Sequence, residues 1–228
     1  MSNVDDRIDH DHTAFEADEA AARAAVAEQI RDLGHALVGH HVDLDVLGAT
    51  TTELRSVVER LSAGEVRTRA IERPTGDWGP PPDDGEQMFS FDERPISGTA
   101  SPYGLELRIV RDGDEAVATF TLRSAHEGAP GRSHGGIISA LFDDVFGFVL
   151  TLNAQPAFTG ELTIRYERGV PLHVPLECRV RLDHREGRKL YMTGELTGAG
   201  ADGERVTFTR AKATFIAIDR EAFASGGG

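Results

Sequence analysis

The segment Gly128-Ala129-Pro130-Gly131-Arg132-Ser133-His134-Gly135-Gly136 carries the most chemistry in the chain. A glycine-rich loop leads into a long apolar run, a histidine directly precedes paired glycines, and Asp143 follows nine positions after that histidine. If the apolar run is a helix, its free N–H groups and the positive end of its dipole gather at Gly135 and Gly136, where an oxyanion or polarised carbonyl is favoured. Glycine at both positions lets a ligand approach the backbone with no Cβ in the way. Asp143 would place a carboxylate on the same helix. A lone Gly-Gly is common in turns; the preceding histidine and the later aspartate make this pattern far more specific.

The element that must hold these groups runs from Ser133 to Asn153. Ile137, Ile138, Leu141, Phe142, Val145, Phe146, Phe148, Val149 and Leu150 leave almost no polar side, which marks a buried helix. Asp143 and Asp144 interrupt it, and a carboxylate in an apolar element has to be paired, hydrogen-bonded or put to use. At about 100° per residue, Ser139, Asp143, Gly147 and Thr151 form one narrow stripe, joined by Gly136, Ala140 and Asp144. Of the two acids, Asp144 is expected to face solvent or bond a backbone group, and Asp143 to be the functional one.

Around this helix the pattern alternates. Leu105, Leu107 and Ile109, then Ala118, Phe120 and Leu122, flank a turn at Arg111-Asp112-Gly113-Asp114. Leu162, Ile164 and Tyr166, then Cys178, Val180 and Leu182, then Leu190, Met192 and Leu196, continue it, and a last strand runs from Val206 to about Ile218. Glycine-bearing turns at 186–188 and 200–203 separate the later strands. Short loops and one-sided alternation imply an antiparallel sheet with one face covered. The fold class is therefore α+β, one long central helix wrapped by an antiparallel sheet.

Before residue 86 the pattern is helical. Glu19 to Val38 reads as an amphipathic helix with Val26, Ile30, Leu33 and Leu37 on its apolar side, and Thr51 to Leu61 as a second, with Leu54, Val57, Val58 and Leu61 on one side and Thr51 or Thr52 as N-cap. The start, to about Ala20, is charged and expected to fray, and 73–85 is a Pro/Gly-rich linker with Trp78 as a packing anchor. The expected organisation is an acidic helical extension and linker over 1–85, one domain over 86–220, and a disordered tail over 221–228.

The 228 residues carry a net charge of −14, of which −10 lies in residues 1–85. That balance speaks against nucleic acid as a partner, because neutralising phosphates requires clustered Lys and Arg. The acidic start does not read as a signal peptide, no uninterrupted apolar run approaches the roughly 20 residues of a membrane span, and a cytoplasmic location is the expectation. A single cysteine, Cys178, provides for neither an internal disulfide nor a thiolate zinc site.

His134-Gly135-Gly136 followed by Asp143 resembles the motif of the hotdog-fold acyl-CoA thioesterases of the phenylacetate-degradation type. The stretch Thr159 to Leu172 looks like the family's strand after the central helix, and Gly187-Arg188-Lys189 also fits; the resemblance covers roughly residues 86–220. It implies that Asp143 attacks the thioester carbonyl or activates a water, and that the Gly135 N–H, with Gly136 as a second candidate donor, holds the oxyanion. It further implies that His134 orients the site or the thiolate leaving group and that Thr159 positions the water or Asp143. The substrate would be an acyl-CoA, with no metal or redox cofactor. The assembly would be a homodimer or dimer of dimers whose sites combine Asp143 and Gly135 from different subunits.

Ser133 beside the histidine, and Arg168, Arg188 and Lys189 at the mouth, are candidate substrate and coenzyme A contacts. Two departures stand out. Relatives often carry Asn or Gln at the position of Gly128, where Glu127 is the only adjacent polar substitute, and the usual Arg-Pro is Arg168-Gly169. A Ser133 nucleophile lacks an oriented base, and His40-His41 and His10-Asp11-His12 lack a third metal ligand. The loss at position 128 keeps open a non-hydrolytic acyl-CoA binding or sensing protein; a hotdog dehydratase is disfavoured because its Asp and His are placed differently.

Overall fold

The computed structural model describes residues 17–66, 80–200 and 202–218. His10-Asp11-His12, most of the linker with Trp78, and the tail over 221–228 lie outside the described residues. Two helices, α1 (Ala17–Gly39) and α2 (Leu44–Ser62), precede strands β1 (Arg108–Asp112) and β2 (Glu115–Thr121), a short 3-10 turn at Ser124–His126, the central helix α3 (Gly135–Leu152), and strands β3 (Ala157–Tyr166), β4 (Pro175–Glu186), β5 (Lys189–Ala199) and β6 (Arg205–Ala217). The six strands form one antiparallel sheet in the order β1-β2-β4-β5-β6-β3.

The sheet curls around α3 because each alternating strand turns one side inward. Ala116, Ala118 and Phe120 of β2, Leu176, Cys178 and Val180 of β4, and Ala211, Ala213 and Phe215 of β6 are buried with Phe142, Val145, Phe146 and Val149 of α3. Close approach of helix and sheet needs Gly194 in β5, where a Cβ would sit 2.7 Å from Val180 Cγ1 and 3.1 Å from Phe142 Cε1. By length and hydropathy α3 could also reach across a bilayer. Half of it is nevertheless buried under the sheet, as befits the core helix of a sheet-wrapped domain.

The face of α3 away from the sheet is met by the turn-rich segment 86–107, which sequence periodicity did not reveal. Met88 N–H donates to Ile109 O at 2.8 Å and Leu105 N–H to Ile96 O at 2.9 Å, tying the strap to β1 and to itself. Leu105 is buried but lies before β1, so the first strand starts at Arg108 and not among Leu105 and Leu107.

The helical extension differs from expectation in which side it uses. In α1, Val26, Ile30 and Leu37 are exposed, while Ala27 and His35 are buried. The reason is the surface met by the helix, which offers polar backbone: Arg31 Nη1 donates to the carbonyls of Thr99 and Ser101, and His35 Nδ1 accepts the Ala125 N–H at 3.0 Å. Helix α2 starts at Leu44, seven residues before the expected N-cap. Thr51 and Thr52 lie inside it with their hydroxyls bonded to the carbonyls of Leu47 and Gly48. Leu54, Val57, Val58 and Leu61 are exposed.

Candidate functional site

The loop reaches α3 through short backbone ties. His134 N–H donates to His126 O at 2.8 Å, Ser133 N–H to Val170 O at 2.9 Å and Gly128 N–H to Arg132 O at 2.9 Å. His134 is the N-cap of α3, and its Nδ1 accepts the Gly136 N–H at 3.0 Å. That cap satisfies one of the orphan donors of the first turn and requires Nδ1 to be without a proton. Gly136 N–H, the second candidate donor, is thus engaged by the imidazole in this conformation.

Gly135 is closely covered. A Cβ there would lie 3.2 Å from the Tyr166 hydroxyl oxygen and 3.3 Å from Cζ of the same ring. The Tyr166 hydroxyl donates to Gly135 O at 2.7 Å and lies 2.8 Å from Ser139 Oγ. Tyr166 stood out in the sequence as one residue of an alternating strand and as the Tyr of the strand that resembles the family's, with no role attached; nothing in its spacing from Gly135 announces the contact. Beside it opens a cleft of about 380 Å³ lined by Ser133, Gly135, Ile138, Tyr166, Arg168 and Val170, among others.

The two aspartates have opposite surroundings. Asp143 is exposed, and its Oδ1 accepts a hydrogen bond from Thr159 Oγ1 at 2.9 Å, across from α3 to the first residues of β3. Asp144 is buried and ion-paired with Arg94 of the strap at 2.6 Å; its carboxylate also accepts from Ile96 N–H, Ser97 N–H and Ser97 Oγ. Burial pushes the Asp144 carboxyl up, with Arg94 and the Ser97 and Ile96 donors working against it. Of the two alternatives for Asp144, backbone bonding is the one realised and solvent exposure is not. Gly147 makes room for this pair, since a Cβ there would fall 2.1 Å from Arg94 Nη2.

Within one chain the candidate residues form two groups. Gly135 and Asp143 are eight residues apart on α3, about 12 Å along the axis. Ser133, His134, Gly135, Gly136, Tyr166 and Arg168 gather at the helix start. Asp143 and Thr159 gather at the other end of β3, on the side where Lys189 pairs with Ile216, the β6 neighbour of Phe158. Arg188 Nε donates to Ala217 O at 3.0 Å in the same region. Arg168 and the Arg188-Lys189 pair are therefore at opposite ends of β3 and do not converge in a single chain.

The departures from the family pattern have structural content. A Cβ at Gly128 would meet His134 Cα at 2.7 Å, so no side chain fits there with the cap in place. Glu127 is no substitute, because its Oε1 accepts the Gly131 N–H inside the loop. Gly169 lies against Arg132, whose Cδ would be 2.8 Å from a Cβ at that position. Ser133 Oγ donates to His134 O at 3.4 Å while His134 Nδ1 is turned to Gly136, so the two do not form a nucleophile–base pair. A larger groove of about 670 Å³ lies elsewhere, lined by residues of β2, β4 and β5 with Glu106 and Arg123, and contains neither Gly135 nor Asp143.

Residues 131–201 match the family model of the thioesterase superfamily. Human acyl-coenzyme A thioesterase THEM5 is 29% identical over 107 residues, 47% of this chain and 42% of that protein. Acyl-coenzyme A thioesterase THEM4 of Bos taurus is 29% identical over 138 residues, 60% of this chain and 56% of that protein. The chain thus spans about half the length of the curated relatives it matches. A solved structure of a thioesterase superfamily protein superposes with a TM-score of 0.69 at 24% identity, covering 85% of this chain and 90% of that one. The fold is the hotdog fold of that superfamily, as the motif at His134-Gly135-Gly136 and Asp143 implied.

Proposed function

We propose that this protein is an acyl-CoA thioesterase in which Asp143 is the catalytic carboxylate and Gly135 N–H the oxyanion donor. The observation that carries the reading is the contrast between the two aspartates. Asp144 is consumed by Arg94, Ile96 and Ser97, whereas Asp143 is exposed and aimed by a single hydroxyl, that of Thr159. An oriented carboxylate next to solvent suits removal of a proton from water, or direct attack on a carbonyl. As the water oxygen bonds to the thioester carbon, its proton passes to Asp143 and the carbonyl oxygen takes the negative charge. Collapse of the adduct breaks the C–S bond, and the thiolate leaves as free coenzyme A after protonation. A backbone donor placed at that oxygen typically lowers the barrier by about 2.7 to 4 kcal/mol.

The reading requires two chains. With about 12 Å between Gly135 and Asp143 on one helix, the carboxylate and the donor meet only if β3, an edge strand, faces a second β3. Antiparallel pairing of two such edges brings the Tyr166 end of one strand toward the Thr159 end of the other. Arg168 of one chain and Arg188 and Lys189 of its partner then border the same mouth, where coenzyme A phosphates would be met. Of the phenylalanines that could shape an acyl pocket, Phe142 and Phe146 are fully buried in the core and Phe158 is half exposed beside Thr159.

The test is thiol release from short, medium, long-chain and aryl acyl-CoAs by wild type and Asp143→Asn side by side. Release that falls at least 100-fold in the variant, with the fold intact, is expected; near-normal turnover in Asp143→Asn overturns the assignment. The absent side chain at Gly128 favours one other reading, a non-hydrolytic acyl-CoA binding protein. Stoichiometric ester binding without thiol release would select it.

A further inference from the structure

Strand β3 touches both halves of the proposed site through one side chain each. At its start Thr159 holds Asp143, and at its end Tyr166 holds Gly135. The Gly135–Gly136 peptide is gripped at both poles: its carbonyl by the Tyr166 hydroxyl at 2.7 Å and by Ser139 Oγ at 3.2 Å, its N–H by His134 Nδ1 at 3.0 Å. Gly135 needs such a grip because a residue without Cβ has the widest choice of backbone angles; a Cβ there would press on the Tyr166 hydroxyl at 3.2 Å.

We propose that Tyr166 is a positioning residue for the oxyanion donor. It anchors the first turn of α3 to the same strand that aims Asp143, and thereby fixes the direction of the Gly135 N–H relative to the carboxylate arriving from the partner chain. The proposal rests on the thioesterase reading for its catalytic consequence and on the two hydroxyl contacts for its geometry. A donor whose direction is set before substrate arrives needs no reorganisation as charge develops. Ser139 completes the arrangement, since its hydroxyl reaches both Tyr166 and the Gly135 carbonyl.

The experiment is Tyr166→Phe in the full chain, read two ways. Steady-state thiol release should show kcat lowered about tenfold, equivalent to about 1.4 kcal/mol of barrier, with KM changed less than twofold. Backbone amide exchange should be at least tenfold faster at Gly136 and unchanged at Leu141 to Val145, which separates a local grip from general loosening of the helix. Ser139→Ala should give a smaller effect of the same kind, and the double variant less than the product of the two. A rise in KM alone, or exchange unchanged at Gly136, overturns the proposal. If Tyr166→Phe fails to fold, Ser139→Ala with no change in kcat and none in Gly136 exchange overturns it too. Should wild type release no thiol from any ester, the thioesterase reading fails, while the exchange comparison still decides whether Tyr166 grips the peptide.

Discussion

Replacing Arg94 by Met should unmask the cost of keeping Asp144 in the interior. Arg94 is the counter-ion of a carboxylate that is 6% exposed, and it also bonds the Asp144 backbone carbonyl and lies 5.0 Å over the Phe148 ring. Removing one partner of a buried pair costs about 3 to 5 kcal/mol. Three donors, Ile96 N–H, Ser97 N–H and Ser97 Oγ, survive the substitution, and Met keeps part of the contact with Phe148. The lower end, about 3 kcal/mol, is therefore expected. At roughly 2 to 4 °C per kcal/mol for a chain of this size, Tm should fall by about 6 to 12 °C.

The pH dependence of that loss has a definite sign. Without Arg94 the Asp144 carboxyl moves further upward from its already raised position, so the folded state takes up a proton before the unfolded state does. A raised folded pKa contributes stability below the unfolded value and loses it as pH rises through the folded one. The deficit of Arg94→Met relative to wild type should thus be largest near neutrality and shrink toward pH 5. Urea unfolding followed by circular dichroism at several pH values measures both quantities. A deficit below about 1 kcal/mol at neutral pH, or one that grows on acidification, would falsify the account of Asp144 as a buried ion held by the strap.

Other outcomes follow from neighbouring contacts. Gly147→Ala should displace the guanidinium and cost about 2 to 3 kcal/mol alone but little in the Arg94→Met background, as a double-mutant cycle would show. Thr159→Val removes the one hydroxyl on Asp143; kcat should drop roughly 3- to 30-fold while Tm moves by only a few degrees, because both groups are exposed. If Tm falls as sharply as it does in Arg94→Met, Thr159 is a structural residue. Burial, with His35 and Arg123 adding, lowers the His126 pKa to about 4, and His35 is lowered in the same direction. The folded state therefore keeps His126 neutral while the unfolded chain protonates below about 6.5, and stability should fall by about 3 kcal/mol between pH 6.5 and pH 4. His126→Gln should flatten that part of the stability profile, and an unchanged slope would assign the acid loss elsewhere.

How much was legible in the sequence depended on whether the signal was local. Alternation in Cys178, Val180 and Leu182 or in Leu190 and Met192 placed strands within a few residues of their true bounds, because the period of two reports directly which side is buried. The first strand was misplaced because the segment before it is just as apolar: Leu105 is buried in the core without entering β1, and Met88, also buried, donates its N–H to Ile109 O at the edge of β1. The Val26, Ile30, Leu33 and Leu37 stripe predicted a buried face for α1, of which Leu33 is half-buried and the other three are exposed, because burial depends on what an element meets. Here the contact is made by Arg31 and His35 to polar backbone, which no helical period encodes.

The same division applies to the site. The sequence by itself determined the glycine-bearing start of an apolar helix and the aspartate nine residues after His134, since helix geometry converts spacing into position. The resemblance to the family's strand added Thr159 on the strand that returns past that helix. Only the tertiary structure decided which aspartate is free, because that turns on Arg94 and Ser97 reaching Asp144 from 50 and 47 residues away. It likewise decided that Tyr166 covers Gly135 from 31 residues further along the chain. These are contacts between elements whose separation along the chain bears no relation to their distance in space.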